Sequence, residues 1–338
     1  MKVRDLGEFG LIERLTQAVT AGQEGRERGG TPSLALRVDM GDDTAAWECG
    51  QLSELATTDT VVEGVHFTRA STSWQDVGWK IMAANVSDIA AMGGLPLYAL
   101  VTLGLPPDTE VADVDALYQG MLELGNLYGM RIVGGDVVRS PVVFVTVALT
   151  GVTDKTPLLR SAARPGDLVA VIGYLGSSAG GLELLTQGTT SAGVQDSAAQ
   201  YLTQAHRRPR PAVEQGRALA AAGVLAAMDI SDGLVDDLGK LCQASGMAAQ
   251  VRAHQLPIHP HLKEAFPQRH LELALQGGED YTLLFATPAA MMKRVLEQLP
   301  APVATVGEIV QGQPGKVSVV DASGEELISL TRGWDHLR

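Results

Sequence analysis

The sequence predicts an α/β protein with mixed sheets, and two observations carry that expectation. Apolar, strand-like runs alternate with amphipathic helical stretches along most of the chain, separated by glycine turns. At 338 residues the chain also exceeds the roughly 250–300 residues at which a single core stops growing, so two domains are expected. The composition agrees: 45% of residues are hydrophobic, with few aromatics, and 38 glycines imply many tight turns and close backbone approaches.

In chain order, Leu6 to Ala21 has helical spacing, and Leu34 to Val38 reads as a strand ending in Gly41-Asp42-Asp43. A short strand through Ala45 to Trp47 comes next. Then Ala56 to Phe67 forms a strand-like run interrupted at Thr57, Thr58 and Asp59. Ser73 to Met92 is the clearest helix, with Ser73 placed to cap it, Asp76 in its first turn and Gly93-Gly94 at its end. Leu97 to Leu105 reads as a strand and Val111 to Tyr128 as a helix. Arg131 to Val133 is a short strand running into a Gly134-Gly135-Asp136 turn, and Pro141 to Val152 is a further strand. A polar connector, Thr153 to Pro165, marks the expected division into residues 1–152 and 153–338.

The second half repeats the alternation. Leu168 to Ile172 is a strand, and helices are expected from about Ser178 to Leu185, around Tyr201 and over Val213 to Ala222. Strands are expected at Ala248 to Arg252, Asp280 to Ala286 and Val303 to Glu308, with a helix over Pro288 to Leu299. At its centre, Ala227 to Gly233 leads into a helix reaching Ser245.

The formal charge of −13 and the absence of a basic stripe argue against a nucleic-acid partner. An acidic chain that handles phosphates needs cations to reverse its local field. Cys49 and Cys242 are far apart and outside any Cys-x-x-Cys spacing, which predicts free thiols in a reducing compartment. No leader-like or bilayer-length apolar stretch is visible, so a soluble, cytoplasmic protein without a membrane partner is expected.

The chemistry-bearing residues are acids at element ends. Thr57, Thr58 and Asp59 offer hard oxygen ligands of the kind magnesium takes, though Thr-Thr-Asp is also ordinary turn chemistry. Asp88 falls on the apolar stripe of its helix with Val77, Ile81, Ala84 and Met92, where a carboxylate must be paired, protonated or metal-bound. Asp229 and Asp232 flank Ser231 ahead of a helix whose N-terminus favours anions, while helix capping accounts for Asp236 and Asp237. Gly277-Gly278-Glu279-Asp280 places two acids where glycines allow close approach. A P-loop, a dinucleotide fingerprint, a kinase H-R-D or D-F-G set and a G-x-S-x-G elbow are all missing.

Seven motifs then match a family in order. They are Gly7-Glu8-Phe9, Gly41-Asp42-Asp43, Thr57 to Asp59 with Glu63 to Phe67, Asn85 to Gly93, Gly134-Gly135-Asp136, Asp229 to Gly233 and Gly277 to Tyr281, and Gly333-Trp334-Asp335-His336 closes the series. Together they resemble the thiamine-monophosphate kinases, within the superfamily that includes aminoimidazole ribonucleotide synthetase and selenophosphate synthetase. The resemblance implies a two-domain fold of that superfamily, with N-terminal sheets pairing into a barrel in a homodimer. It implies ATP-dependent phosphorylation of thiamine monophosphate to thiamine diphosphate, assisted by several magnesium ions. By similarity, Asp43, Thr57, Thr58, Asp59, Asp88, Asp136, Asp229 and Asp232 would ligate magnesium. Gly135, Asp136, Arg160 and Ser231 would contact ATP, and His66, Glu279 and Trp334 the thiamine phosphate. Trp334 stands where the family more usually has Tyr. Alternatives are another ATP-dependent enzyme of the superfamily, such as a formylglycinamidine cyclase, or a non-catalytic nucleotide or metal sensor.

Overall fold

In the computed structural model, residues 10–17, 35–186, 195–299 and 302–327 are described. Trp334, the first and last of the quoted motifs and most of the stretch from Thr186 to Gln195 lie outside them.

Two mixed six-stranded sheets divide the described chain. Helix α1 covers residues 10–17. The first sheet contains β1 (Leu36–Val38), β2 (Ala45–Cys49), β3 (Leu52–Val62), β4 (Leu95–Leu105), β5 (Arg131–Arg139) and β6 (Phe144–Thr153). Its order is β1-β2-β3-β6-β4-β5, antiparallel except for the parallel β4–β5 pair. Helices α2 (Trp74–Ala91) and α3 (Val111–Tyr128) interleave with these strands in sequence. Where α2 and α3 cross, a Cβ on Gly78 would meet Leu117 O at 1.9 Å and one on Gly120 would meet Gln75 O at 1.8 Å. Only glycine lets the two backbones touch there.

The second half runs β7 (Leu168–Ile172), α4 (Ser177–Thr186), α5 (Asp196–Arg207), α6 (Val213–Ala222), β8 (Ala226–Ile230), α7 (Leu234–Ser245), β9 (Ala248–Arg252), α8 (Pro260–Ala265), α9 (His270–Gln276), β10 (Thr282–Thr287), α10 (Ala289–Gln298), β11 (Val303–Val310) and β12 (Val317–Val320). Its sheet order is β12-β9-β11-β7-β10-β8.

Helix α2 links the halves. Ser73 caps it by accepting from Asp76 N at 3.2 Å. Nearly every side chain from Val77 to Ala91 is buried, because α2 packs on β3, β4 and β6 on one side and on α5, α6 and β8 on the other. The expected single apolar stripe is therefore replaced by burial all round, and Asp88 is its half-buried exception.

Several expectations need correction. β3 continues without a break through Thr57, Thr58 and Asp59, since its ladder with β6 supplies backbone partners from Ser53 to Val62. β5 likewise passes through Gly134, Gly135 and Asp136 instead of turning. A bulge there accommodates the close approach, for a Cβ on Gly135 would lie 1.9 Å from Val101 O. β10 starts at Thr282, leaving Gly277 to Tyr281 as a loop. The short elements α8, α9 and β12 had no periodic signal in the sequence.

Candidate functional site

The pleat of β3 sorts the opening residues. Thr57 and Asp59 point to the face covered by α2, and Thr57 Oγ1 donates to Asp88 Oδ2 at 2.6 Å. Thr58 points the other way and donates its hydroxyl to Val147 O at 3.0 Å. Asp136 shares with Thr60, Thr146 and Thr102 a row across that opposite, open face. It is exposed, and its Oδ1 accepts from Val137 N at 2.9 Å. Thus the sheet separates Thr58 and Asp136 from the side chains of Thr57 and Asp59.

On the covered face, both halves contribute carboxylates. Oxygens of Asp43 from the β1–β2 turn, Asp88 from α2 and Asp229 from β8 lie within 4.8 Å of one another. Asp229 Oδ2 accepts from Ser87 Oγ at 2.8 Å, so adjacent residues of α2 hold the two sides of the cluster. Asp43 Oδ1 accepts from Arg160 at 2.5 Å, while its buried Oδ2 has no hydrogen-bond partner among the described residues. Burial, then the charge of Asp59, followed by Asp229 and Asp43, pushes the Asp88 carboxyl well above the usual range against the opposing bond from Thr57. Burial, Asp43 and Asp237 do the same to Asp229. Asp59 rises to about 6 through burial and the charge of Asp232. Such a cluster is short of positive charge, and hard oxygen donors with an orphaned buried oxygen fit a divalent cation such as magnesium.

Arg160 partly compensates. Burial disfavours its charge, but Asp43, Asp229 and Asp42 outweigh that and hold the guanidinium firmly protonated. Its backbone N–H also donates to Asp42, whose carboxyl rises to about 6 through burial and the neighbouring Asp43.

Beside the cluster, the loop after β8 is shaped by Asp237, to which helix capping alone had been assigned. Its Oδ2 accepts from the backbone N–H groups of Ser231, Asp232 and Gly233 at 2.9, 2.9 and 3.1 Å. Lys240 bridges Asp237, at 2.8 Å, and Asp232. An open cavity of about 720 Å³ adjoins Arg160, Asp232 and Lys240, giving room for a phosphate-bearing ligand.

The third part of the site lies towards the start of α2. The buried Lys80 Nζ sits 2.8 Å from Glu279 Oε2 and 3.2 Å from Nε2 of the buried His206. His66, whose Nδ1 accepts from Val62 N at 3.1 Å, lies near the Glu279 carboxylate. Lys80 and His206 escaped the sequence reading: a lysine inside an apolar helix and a lone histidine carry no local signature. Their partner is supplied by a loop about 200 and 70 residues away.

The chain matches the family models for the AIR synthase related protein N-terminal domain over residues 41–153 and its C-terminal domain over residues 164–320. It is 36% identical to the thiamine-monophosphate kinase of Bacillus subtilis over 90% of this chain and 94% of that one. It is also 36% identical to the thiamine-monophosphate kinase of Aquifex aeolicus, over 99% and 100%. A solved structure described as AaThiL complexed with AMPPCP and TMP shares 35% identity and superposes with a TM-score of 0.84, covering 99% of both chains. A shared fold, near-complete coverage and an acidic site built from both halves agree: the chain belongs to the thiamine-monophosphate kinase family.

Proposed function

We propose that this protein transfers the γ-phosphoryl group of ATP to the phosphate of thiamine monophosphate, giving thiamine diphosphate and ADP. The observation that carries the reading is the Asp43–Asp88–Asp229 cluster, assembled from both halves of a chain similar end to end to thiamine-monophosphate kinases.

The acceptor is already an anionic phosphate near neutral pH, so no strong general base is needed. The chain's task is positioning and charge control. Asp43, Asp88 and Asp229, with Asp59 and Asp232 beside them, would hold magnesium. Bound there, magnesium supplies the positive charge that lets two phosphates approach and stabilises the transferring group. Thr57 orients Asp88, Ser87 orients Asp229, and Arg160 offers a fixed cation to phosphate. Ser231, in the loop held by Asp237, and Gly135 with Asp136 are assigned to the nucleotide. Thr58 is offered to metal through its backbone oxygen alone, its hydroxyl being engaged. His66, Glu279 and Trp334 are assigned to the thiamine phosphate.

We also propose a division of the chain at residues 1–152 and 153–338, and a homodimer joined through the open face of the first sheet. Tyr98 and Leu100 are exposed there, the kind of apolar surface that a second copy covers. A cytoplasmic location is supported by two free cysteines. Among the described residues no helix is long and apolar enough to cross a membrane.

Incubation with ATP, magnesium and thiamine monophosphate, followed by chromatographic separation, tests the activity. Thiamine diphosphate and ADP should appear in equal amounts with no phosphate trapped on the protein. ATP binding without product would favour a sensor instead.

A further inference from the structure

Glu279 is held in an unusual way. Its backbone has φ 64° and that of Tyr281 has φ 48°, both in the left-handed region that non-glycine residues seldom occupy. Glu279 N donates to Ser231 O at 2.7 Å and Tyr281 N to Ile230 O at 2.9 Å, so the loop is pinned to the end of β8. Strained backbone fixed by its surroundings marks a place where side-chain direction matters.

The side chain is fixed as firmly. Lys80 is 6% exposed and His206 4%, whereas the Glu279 side chain keeps 31% of its surface open. Lys80 can only donate, so Nε2 of His206 accepts from it at 3.2 Å. Nδ1 then carries the proton and reaches Ser178 Oγ at 3.1 Å. Burial and the Lys80 charge push His206 down to about 4, which keeps the ring neutral. Although burial opposes it, the charge of Lys80 and its hydrogen bond hold the Glu279 carboxyl below its usual range. The clamp acts at Oε2, and the rest of the carboxylate faces the open part of the site.

Lys80 and Asp88 lie eight residues apart on α2, roughly 12 Å along its axis. One end of that span gathers carboxylates suited to metal and phosphate. The other presents a single clamped carboxylate that repels a phosphate and accepts from an N–H group.

We infer that Lys80 and His206 are positioning residues that aim Glu279 at the nitrogen-bearing heteroaromatic part of the acceptor, and so set which way round the acceptor lies. The inference rests on the function proposed above. Lys80 acts through Glu279, and His206 acts both through Lys80 and through its own Nδ1, 3.5 Å from Glu279 Oε2.

The experiment is an initial-rate study of both substrates with Lys80→Met, Glu279→Gln, the double variant, His206→Leu and His206→Gln. Lys80→Met should raise KM for thiamine monophosphate on the order of tenfold or more, with KM for ATP within about twofold of the parent. In the Glu279→Gln background the same change should add less than about threefold, because both substitutions act at one carboxylate. His206→Leu should move the acceptor KM in the same direction, and His206→Gln, which keeps a polar partner for Lys80, should restore most of it. Equal effects on both substrates, or a Lys80→Met effect that persists in full without Glu279, would overturn the inference. If Lys80→Met alone does not fold, the double variant, in which no buried charge is left unpaired, is compared with Glu279→Gln and decides the same point. Wild-type protein with no turnover of thiamine monophosphate defeats the function and this inference together. Normal wild-type turnover with additive variants defeats this inference alone.

Discussion

Asp43, Asp88 and Asp229 repel one another because both halves of the chain bring them together in a largely buried pocket. Asp229→Asn removes one of the buried negative charges, so the metal-free variant should unfold at a higher temperature than the parent. On the proposed metal role, magnesium should raise the midpoint of the parent and leave that of the variant unmoved, and calorimetry with and without magnesium reads both effects. Turnover should fall on the order of a hundredfold or more, since the charge neutralisation it helps to hold acts in the transition state. Asp280 supplies a pH dependence away from the cluster. It accepts from Gly176 N at 2.6 Å and Ser178 N at 3.1 Å, yet burial raises its carboxyl to about 7. The folded protein thus holds this proton more tightly than the unfolded chain does. The ionised form is disfavoured, and stability falls as pH rises from about 4 to about 7. Asp280→Asn should flatten that part of a midpoint-against-pH curve, and an unchanged slope would refute the assignment.

At the scale of elements, α2 carries most of the design. Its cap and its end at Gly93-Gly94 were legible in local sequence, and so was α3, over Val111 to Tyr128. The crossing of the two helices was not, because Gly78 and Gly120 read only as residues of poor helix propensity until Leu117 O and Gln75 O are placed against them. Gly120→Ala should cost about 1–3 kcal/mol of stability, read as a lower denaturant midpoint and more than the helix propensity gained can offset. The strand extents were misread for a related reason. Thr57 to Asp59 and Gly134 to Asp136 carry turn-forming residues, but ladder partners on β6 and β4 override that preference.

For the whole molecule, α2 packs against β3, β4 and β6 of the first sheet and β8 of the second, and the carboxylate cluster lies along it. The open face of the first sheet remains. Leu100→Asp places a charge in its apolar patch and should shift the protein from dimer to monomer in light scattering at micromolar concentration. A monomeric parent would remove the dimer proposal while leaving the carboxylate cluster intact.

Sequence alone determined the alternation of elements, the bounds of several of them and the family, because periodicity, caps and ordered motifs are local signals. It also marked Asp43, Asp59, Asp88, Asp136, Asp229 and Asp232 as chemistry-bearing, since each follows a strand, opens a helix or faces a core where an unpaired acid is costly. Tertiary structure decided which of these meet. The pleat of β3 and the register of β5 put Thr58 and Asp136 on the face opposite Thr57 and Asp59. The folding of both halves onto α2 brought Asp43 and Asp229 to Asp88, and Glu279 and His206 to Lys80. Those contacts span tens to hundreds of residues, and charge repulsion, burial and hydrogen bonding act through distance in space, which no local pattern encodes.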